Sequence, residues 1–198
     1  MTRRRYLFDT PDRFVAGTVG EPGNRTFFLQ ARDGSRVVSV ALEKVQVAAL
    51  AQRLDELLDE LERRGIEGAE EDDSLVGDTR ALDEPINEAF RVGTLSLGWD
   101  TGDDLVLVEA REIVAADEDA EGDEGAEVDE DAEVEVDEDA DEDGPDVLRV
   151  RFTARAARDF VARAVRVLAA GRPPCPLCGQ PLDPQGHLCP RRNGHLLN

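Results

Sequence analysis

The sequence predicts an α+β domain, a two-layer arrangement in which two helices cover one face of a mostly antiparallel sheet of about seven strands. Three observations lead there. Short runs rich in aromatic and β-branched residues, separated by turn residues, open the chain. In two places the apolar spacing becomes that of a helix. The third observation is a composition shift: all three Cys and both His lie between positions 175 and 195, past everything that could build a core.

The first four strands are expected at "RYLFD", "RFVAGTV", "RTFFLQA" and "RVVSVAL", as an antiparallel meander. Between them stand "TPD", "GEPGN" and "RDGS", whose Pro, Gly, Asn and Asp supply turn chemistry. Gly17, Gly20 and Gly23 recur at intervals of three in "GTVGEPG". A phosphate cradle needs such glycines between a strand and a helix N-terminus; a strand follows here, so the reading is a hairpin turn.

Val47, Leu50, Leu54, Leu57, Leu58 and Leu61 then fall on one helical face, opposite Asp55, Glu56, Asp59, Glu60 and Glu62. This helix should end before Gly65. Residues 65–85 are acidic and aperiodic and read as a loop. Strands resume at "FRVGTLSLGWD" and "DLVLVEAREIV" around the tight turn "TGDD", and again at "DVLRVRFT". The second helix, "ARAARDFVARAVRVLAAG", stops at Gly171 and Pro173–Pro174. Phe160, Ala164, Val167 and Leu168 share its apolar side, and Arg155, Arg158, Arg163 and Arg166 form a stripe opposite. A solvated helix face is the simple reading of that stripe; contact with an anion or partner is the functional one.

Charge is unevenly spread. The 198 residues carry a net charge of −22, but residues 117–146 alone hold 19 Asp or Glu and no Lys or Arg, and without them the balance is −3. From Val147 onward nine Arg face two acidic residues. The run repeats "VDEDAEV" as "VDEDADE", repels itself and has only scattered Val and Ala as apolar residues, so 115–146 is expected to be a disordered, solvated insertion within a 1–171 domain. An electrostatic arm that docks on a basic partner or masks the Arg stripe is the second reading. "DADEDG", Asp139–Gly144, copies half a calcium loop, but the twelfth position is Val150, not Glu.

The N-terminus has basic residues without an apolar segment behind them, and no window approaches the roughly 20 apolar residues of a membrane span. Both features point to the cytoplasm and away from a membrane partner. In a reducing compartment Cys-x-x-Cys means metal or redox chemistry before it means a disulfide. Cys175-Pro-Leu-Cys178-Gly is a turn that lets two thiolates face one ion, and "QPLDPQG" returns the chain to His187 and Cys189, at i and i+2. Cys175, Cys178, His187 and Cys189 thus make a complete set for a structural zinc, with His195 the competing fourth ligand. The tail, 172–198, is too short for a core of its own and reads as a zinc knuckle. "PCPLC" also matches half of a zinc-deaminase signature, but no His or Cys precedes Cys175 to complete it. Beyond Arg172 there is no Phe, Tyr or Trp for base stacking, which disfavours a nucleic-acid partner despite Arg191 and Arg192.

The phrases "YLFDTPDRFVAGTVGEPGNRTFFLQARDG", "FRVGTLSLGWD" and "GRPPCPLCGQPLDPQGHLCP" resemble an actinobacterial family known as a domain of unknown function, DUF 3090. The resemblance covers nearly the whole chain apart from the acidic run, which looks expanded relative to the family pattern. It implies a bacterial cytoplasmic protein, and its Gly-His-x-Cys tail favours His187 over His195. The function expected is a non-catalytic interaction or regulatory module with a structural zinc and a protein partner. The alternative is an enzyme or enzyme subunit that takes an anionic small molecule on the sheet near Arg13, Arg25 and Trp99. A zinc-assisted nucleic-acid binder comes third.

Overall fold

The computed structural model describes residues 3–70, 77–114, 144–171 and Leu177. Its elements run β1 (Arg5–Asp9), β2 (Arg13–Glu21), β3 (Asn24–Asp33), β4 (Arg36–Leu42), α1 (Lys44–Arg63), β5 (Glu88–Asp100), β6 (Leu105–Glu112), β7 (Val147–Phe152) and α2 (Ala154–Ala169). The α+β class, the seven strands and the two helices agree with the sequence reading. The zinc knuckle lies outside the described residues apart from Leu177, and the acidic insertion lies outside them apart from 144–146.

The sheet is mixed, not mostly antiparallel. Its strand order is β1-β7-β6-β5-β4-β3-β2, and the β1–β7 and β4–β5 pairs are parallel. The four-strand meander is corrected to three strands, β2–β3–β4, because β1 leaves its sequence neighbours and pairs with β7. Two physical reasons account for this. A connection that contains a 20-residue helix gives β5 the length it needs to return parallel to β4. The β1–β7 pairing joins residues about 140 positions apart, and no local pattern encodes it.

Edge strands β1 and β2 are consecutive in sequence, linked only by Thr10–Asp12. Four Cα steps reach at most about 14 Å, whereas six spacings of about 4.8 Å would put the edges of a flat seven-stranded sheet about 29 Å apart. The sheet must therefore curl strongly. Phe14 of β2 meets Phe152 of β7 with ring centroids 5.1 Å apart and stacks on Phe160 of α2 at 5.0 Å. One continuous core joins the inner faces of all seven strands to both helices, with Leu54, Leu58, Leu61 and Phe160 at its centre. Burial of each such side chain contributes about 1.5–3 kcal/mol.

Caps define the helices. Glu43 and Gln46 form a capping box at α1, and Thr153 accepts from the Ala156 N–H at α2. Arg25 closes the other end of α2 by donating to the carbonyls of Ala170 (2.8 Å) and Val167 (3.3 Å). Pro22 and Gly23 form the β2–β3 hairpin turn, as expected from the strand that follows these glycines.

The segment after α1 has no helix or strand among its described residues, but it does pack. Leu82 and Ile86 cover Val15, Phe28 and Ala41 on the outer face of the β2–β3–β4 half. Buried Gln30 fastens it, accepting from the Asp83 N–H at 2.8 Å and donating to the Asp83 carbonyl at 3.0 Å. Leu82 also explains Gly17: a Cβ there would lie 2.6 Å from the Leu82 side chain. Gly17→Ala is expected to lose about 1–3 kcal/mol in denaturant unfolding by overpacking. In a Leu82→Ala background the same change should cost nothing; an equal cost in both backgrounds would disprove the contact as the cause.

The insertion interrupts a hairpin. The Glu112 N–H donates to the Asp146 carbonyl at 2.8 Å, and the Asp146 N–H to the Glu112 carboxylate at 3.2 Å, so the sheet itself holds both ends together. Replacing 117–143 with a short turn should leave cooperative unfolding intact. Shortening the connection from roughly 34 residues to about ten lowers the loop-closure cost by about 1 kcal/mol. Calorimetry should show a melting temperature equal to that of the full chain or a few degrees higher; loss of cooperative unfolding would make the segment part of the core.

Candidate functional site

The most concentrated polar structure among the described residues lies where the start of β2, the 77–83 segment and α2 meet. Arg13, 5% exposed, donates from Nε and Nη2 to the Asp78 carboxylate (2.7 and 3.2 Å) and from Nη1 to Asp83 (2.8 Å). Nη2 also reaches the carbonyls of Arg80 and Ala81. From α2, Arg163 donates to the carbonyls of Ala16 (2.5 Å), Asp78 (2.5 Å) and Arg80 (2.8 Å), and Arg166 to the Asp78 carbonyl. Arg163 thereby occupies a carbonyl of the sheet's β2 edge, as Arg36 does at the β1 edge through Leu7. Gly77 has positive φ and sits so close to α2 that a Cβ would lie 2.7 Å from the Asp159 carbonyl and the Arg163 nitrogen.

The electrostatics favour fixed charges. Burial of Asp78 works against its ionisation, but hydrogen bonds from Arg80 and Arg13 outweigh it and hold the carboxyl well below the usual range. Arg163 is pulled down by burial and by Arg13, while Asp78 supports its charge. A cavity of about 570 Å³ adjoins this joint, lined by buried Phe14, Phe152 and Phe160 and by Asp12, Arg80 and Asp159. Its volume is in the range of small-molecule sites.

The stripe on α2 divides. Arg155 is exposed and Arg166 half-buried, while Arg158 and Arg163 are each 5% exposed, so the simple reading of a solvated stripe fails for two of the four. Arg158 crosses to α1 and pairs with Asp55 (2.8 Å) and Asp59 (2.9 Å), with its Nε on the Ala69 carbonyl. The helical wheel cannot separate Arg158 and Arg163 from Arg155 and Arg166, although the first two belong to the buried face of α2 with Ala157, Phe160 and Ala164. It cannot show that the α1 carboxylates and the 77–80 segment come to meet them.

Arg13, Arg25 and Trp99 are not brought together. Arg13 and Arg25 lie at opposite ends of the β2–β3 hairpin, the one bound in the ion-pair joint and the other capping α2. Trp99 packs toward the core side of β5. Sequence reasoning misses Gln30, Asp78 and Leu82. One signal points toward them: all but one of the 23 basic residues are Arg, the side chain suited to several fixed hydrogen bonds at once.

A third cluster occupies the outer face of β6 and β7. Glu109, only 6% exposed, accepts from Arg111 (2.7 Å) and Arg149 (2.8 Å). Burial opposes its charge, but Arg149 and then Arg111 keep its pKa below the usual value. Cys175, Cys178, His187, Cys189 and His195 lie outside the described residues, and so does the half calcium loop apart from Gly144. Among the described residues no group of three or more His, Cys, Asp or Glu could hold a metal ion. No helix among them is long and apolar enough to cross a membrane.

These features define an α+β protein with a curled mixed sheet, in which buried arginines tie α2 to α1 and tie β2 and α2 to the 77–83 segment. A family model described as a protein of unknown function (DUF3090) matches residues 6–189, and the chain belongs to that family. No curated protein and no solved structure matches it.

Proposed function

We propose that the protein is a non-catalytic interaction or regulatory module of the bacterial cytoplasm. In this reading the sheet domain is a rigid mount, and the tail holds one structural zinc through Cys175, Cys178, His187 and Cys189, with His195 as the competing fourth ligand. One observation carries it. The described domain contains no Cys or His, and the ion-paired carboxylates Asp78 and Glu109 have depressed pKa values, so these groups stay charged at neutral pH instead of exchanging protons. All the soft and near-neutral donors sit in the tail, as three thiols and two imidazoles that suit tetrahedral zinc. Arg25 fixes the end of α2 from which that tail departs.

The test is a tagged full chain recovered from its native host at physiological salt, with and without nuclease. A protein partner retained after nuclease treatment, and lost with Cys178→Ser, supports the module. Recovery of nucleic acid alone overturns it. The cavity beside Arg80 favours the second reading, an enzyme or enzyme subunit that takes an anionic small molecule. A thermal-shift screen with phosphorylated and carboxylated metabolites tests that reading. Stabilisation abolished by Arg80→Ala would favour it over the module.

A further inference from the structure

The acidic run leaves and re-enters the sheet beside its most basic face. Val147 pairs with Arg5 in the β1–β7 register, and Arg149 stands opposite Glu109 between β7 and β6. Arg3 passes next to Gly144, where a Cβ would be 3.4 Å from the Arg3 side chain. Arg111 and Arg149 hold the buried carboxylate of Glu109, and Arg3 and Arg5 stand close enough to act on this cluster or on each other. They act on one another: burial, then Arg5 and Arg111, lower the pKa of Arg3, while Glu109 raises it. Farther along β7, Arg151 is ringed by Asp9, Asp100 and Asp103. The arginines around Glu109 thus cluster at the end of the face where the run begins and ends, beside the Glu112–Asp146 contact that holds its two ends together.

We propose that this basic end of the sheet is the docking surface for the chain's own acidic run, residues 117–143. Charge complementarity supports it, since the run holds 18 carboxylates and no basic residue. Tethering at both ends keeps the run at a high effective concentration over this face. Guanidiniums take carboxylates by paired, charge-assisted hydrogen bonds. The other basic surface, on α2, is a poorer match because Arg158 and Arg163 are buried, whereas Arg5 and Arg111 are exposed. An acidic partner protein would then have to compete with the run. The inference goes beyond the zinc-bearing module and uses different residues.

A chain with 117–143 replaced by a short turn, and a synthetic peptide of residues 117–143, provide the test. The peptide should bind the shortened chain at about 50 mM NaCl and lose at least about tenfold in affinity by about 300 mM. It should shift amide resonances in β1, β6 and β7, and bind the full chain at least about tenfold more weakly, because the face is already taken. Arg5→Glu, at an exposed position, should weaken peptide binding in the shortened chain without unfolding it. Absence of binding, equal binding to both chains, or resonance shifts confined to α2 would overturn the proposal. So would an RNA oligomer that binds both chains equally and more tightly than the peptide does, since the face would then serve nucleic acid.

Discussion

Cys178→Ser is expected to abolish zinc retention, taking elemental analysis from one zinc per chain to none. The effect is large because structural zinc contributes about 10–16 kcal/mol in finger peptides at neutral pH. His187→Ala should weaken retention far more than His195→Ala, since His187 lies between Cys178 and Cys189 in the sequence and His195 lies beyond them. The opposite ranking would move the fourth ligand to His195, and native protein free of metal would end the zinc proposal. The sheet domain should keep its own cooperative transition in Cys178→Ser, because among the described residues one core already joins all seven strands and both helices. If four protein ligands held it, the ion would have no open position for water, and its role would be to hold shape.

Arg13→Met should be the most damaging substitution in the sheet domain, at about 3–5 kcal/mol in denaturant unfolding. It preserves bulk but removes the buried partner of Asp78 and strips bonds from two carbonyls. For a domain of this size that is roughly 8–15 °C in melting temperature. Arg13→Lys should recover little, since an ammonium cannot span Asp78, Asp83 and two carbonyls from one position. The same joint sets an acid dependence. The folded pKa of Asp78 is depressed, so its contribution is present above the unfolded value of about 3.9 and is lost as pH falls from there toward the lower folded value. In Asp78→Asn the stability difference from the native chain should shrink as pH drops below about 4. A constant difference down to low pH would show that the carboxylate's charge is not what the joint uses.

Much of the architecture is legible in the residues. Turn chemistry locates the strands, and Val47 to Leu61 locate α1 because one apolar stripe is buried at helical spacing. The stripe through Phe160 and Ala164, with the stop at Gly171, does the same for α2. The candidate site is less legible. Arg158 and Arg163 read from the sequence as part of a solvated stripe, yet both lie on the buried face of α2. Their burial depends on Asp55 and Asp59 from α1 and on the backbone around Asp78, groups 83 to 103 positions away. Leu82 and Gln30 stay hidden for the same reason: each makes sense only with its partner on another element.

Local chemistry suffices for the α+β class, the positions of strands and helices, the confinement of acidic charge to one run and the gathering of all Cys and His in the tail. Each is a property of nearest neighbours, through periodicity, turn residues or local charge. Long-range packing had to supply the rest: that β1 joins β7, that β4 and β5 run parallel, and that the sheet curls until its two edges meet across three residues. Strand partners are chosen by which pairing buries Phe8, Phe14 and Phe152 around the helices. That choice is a competition among alternatives distant in sequence, and it is resolved only when the whole core closes.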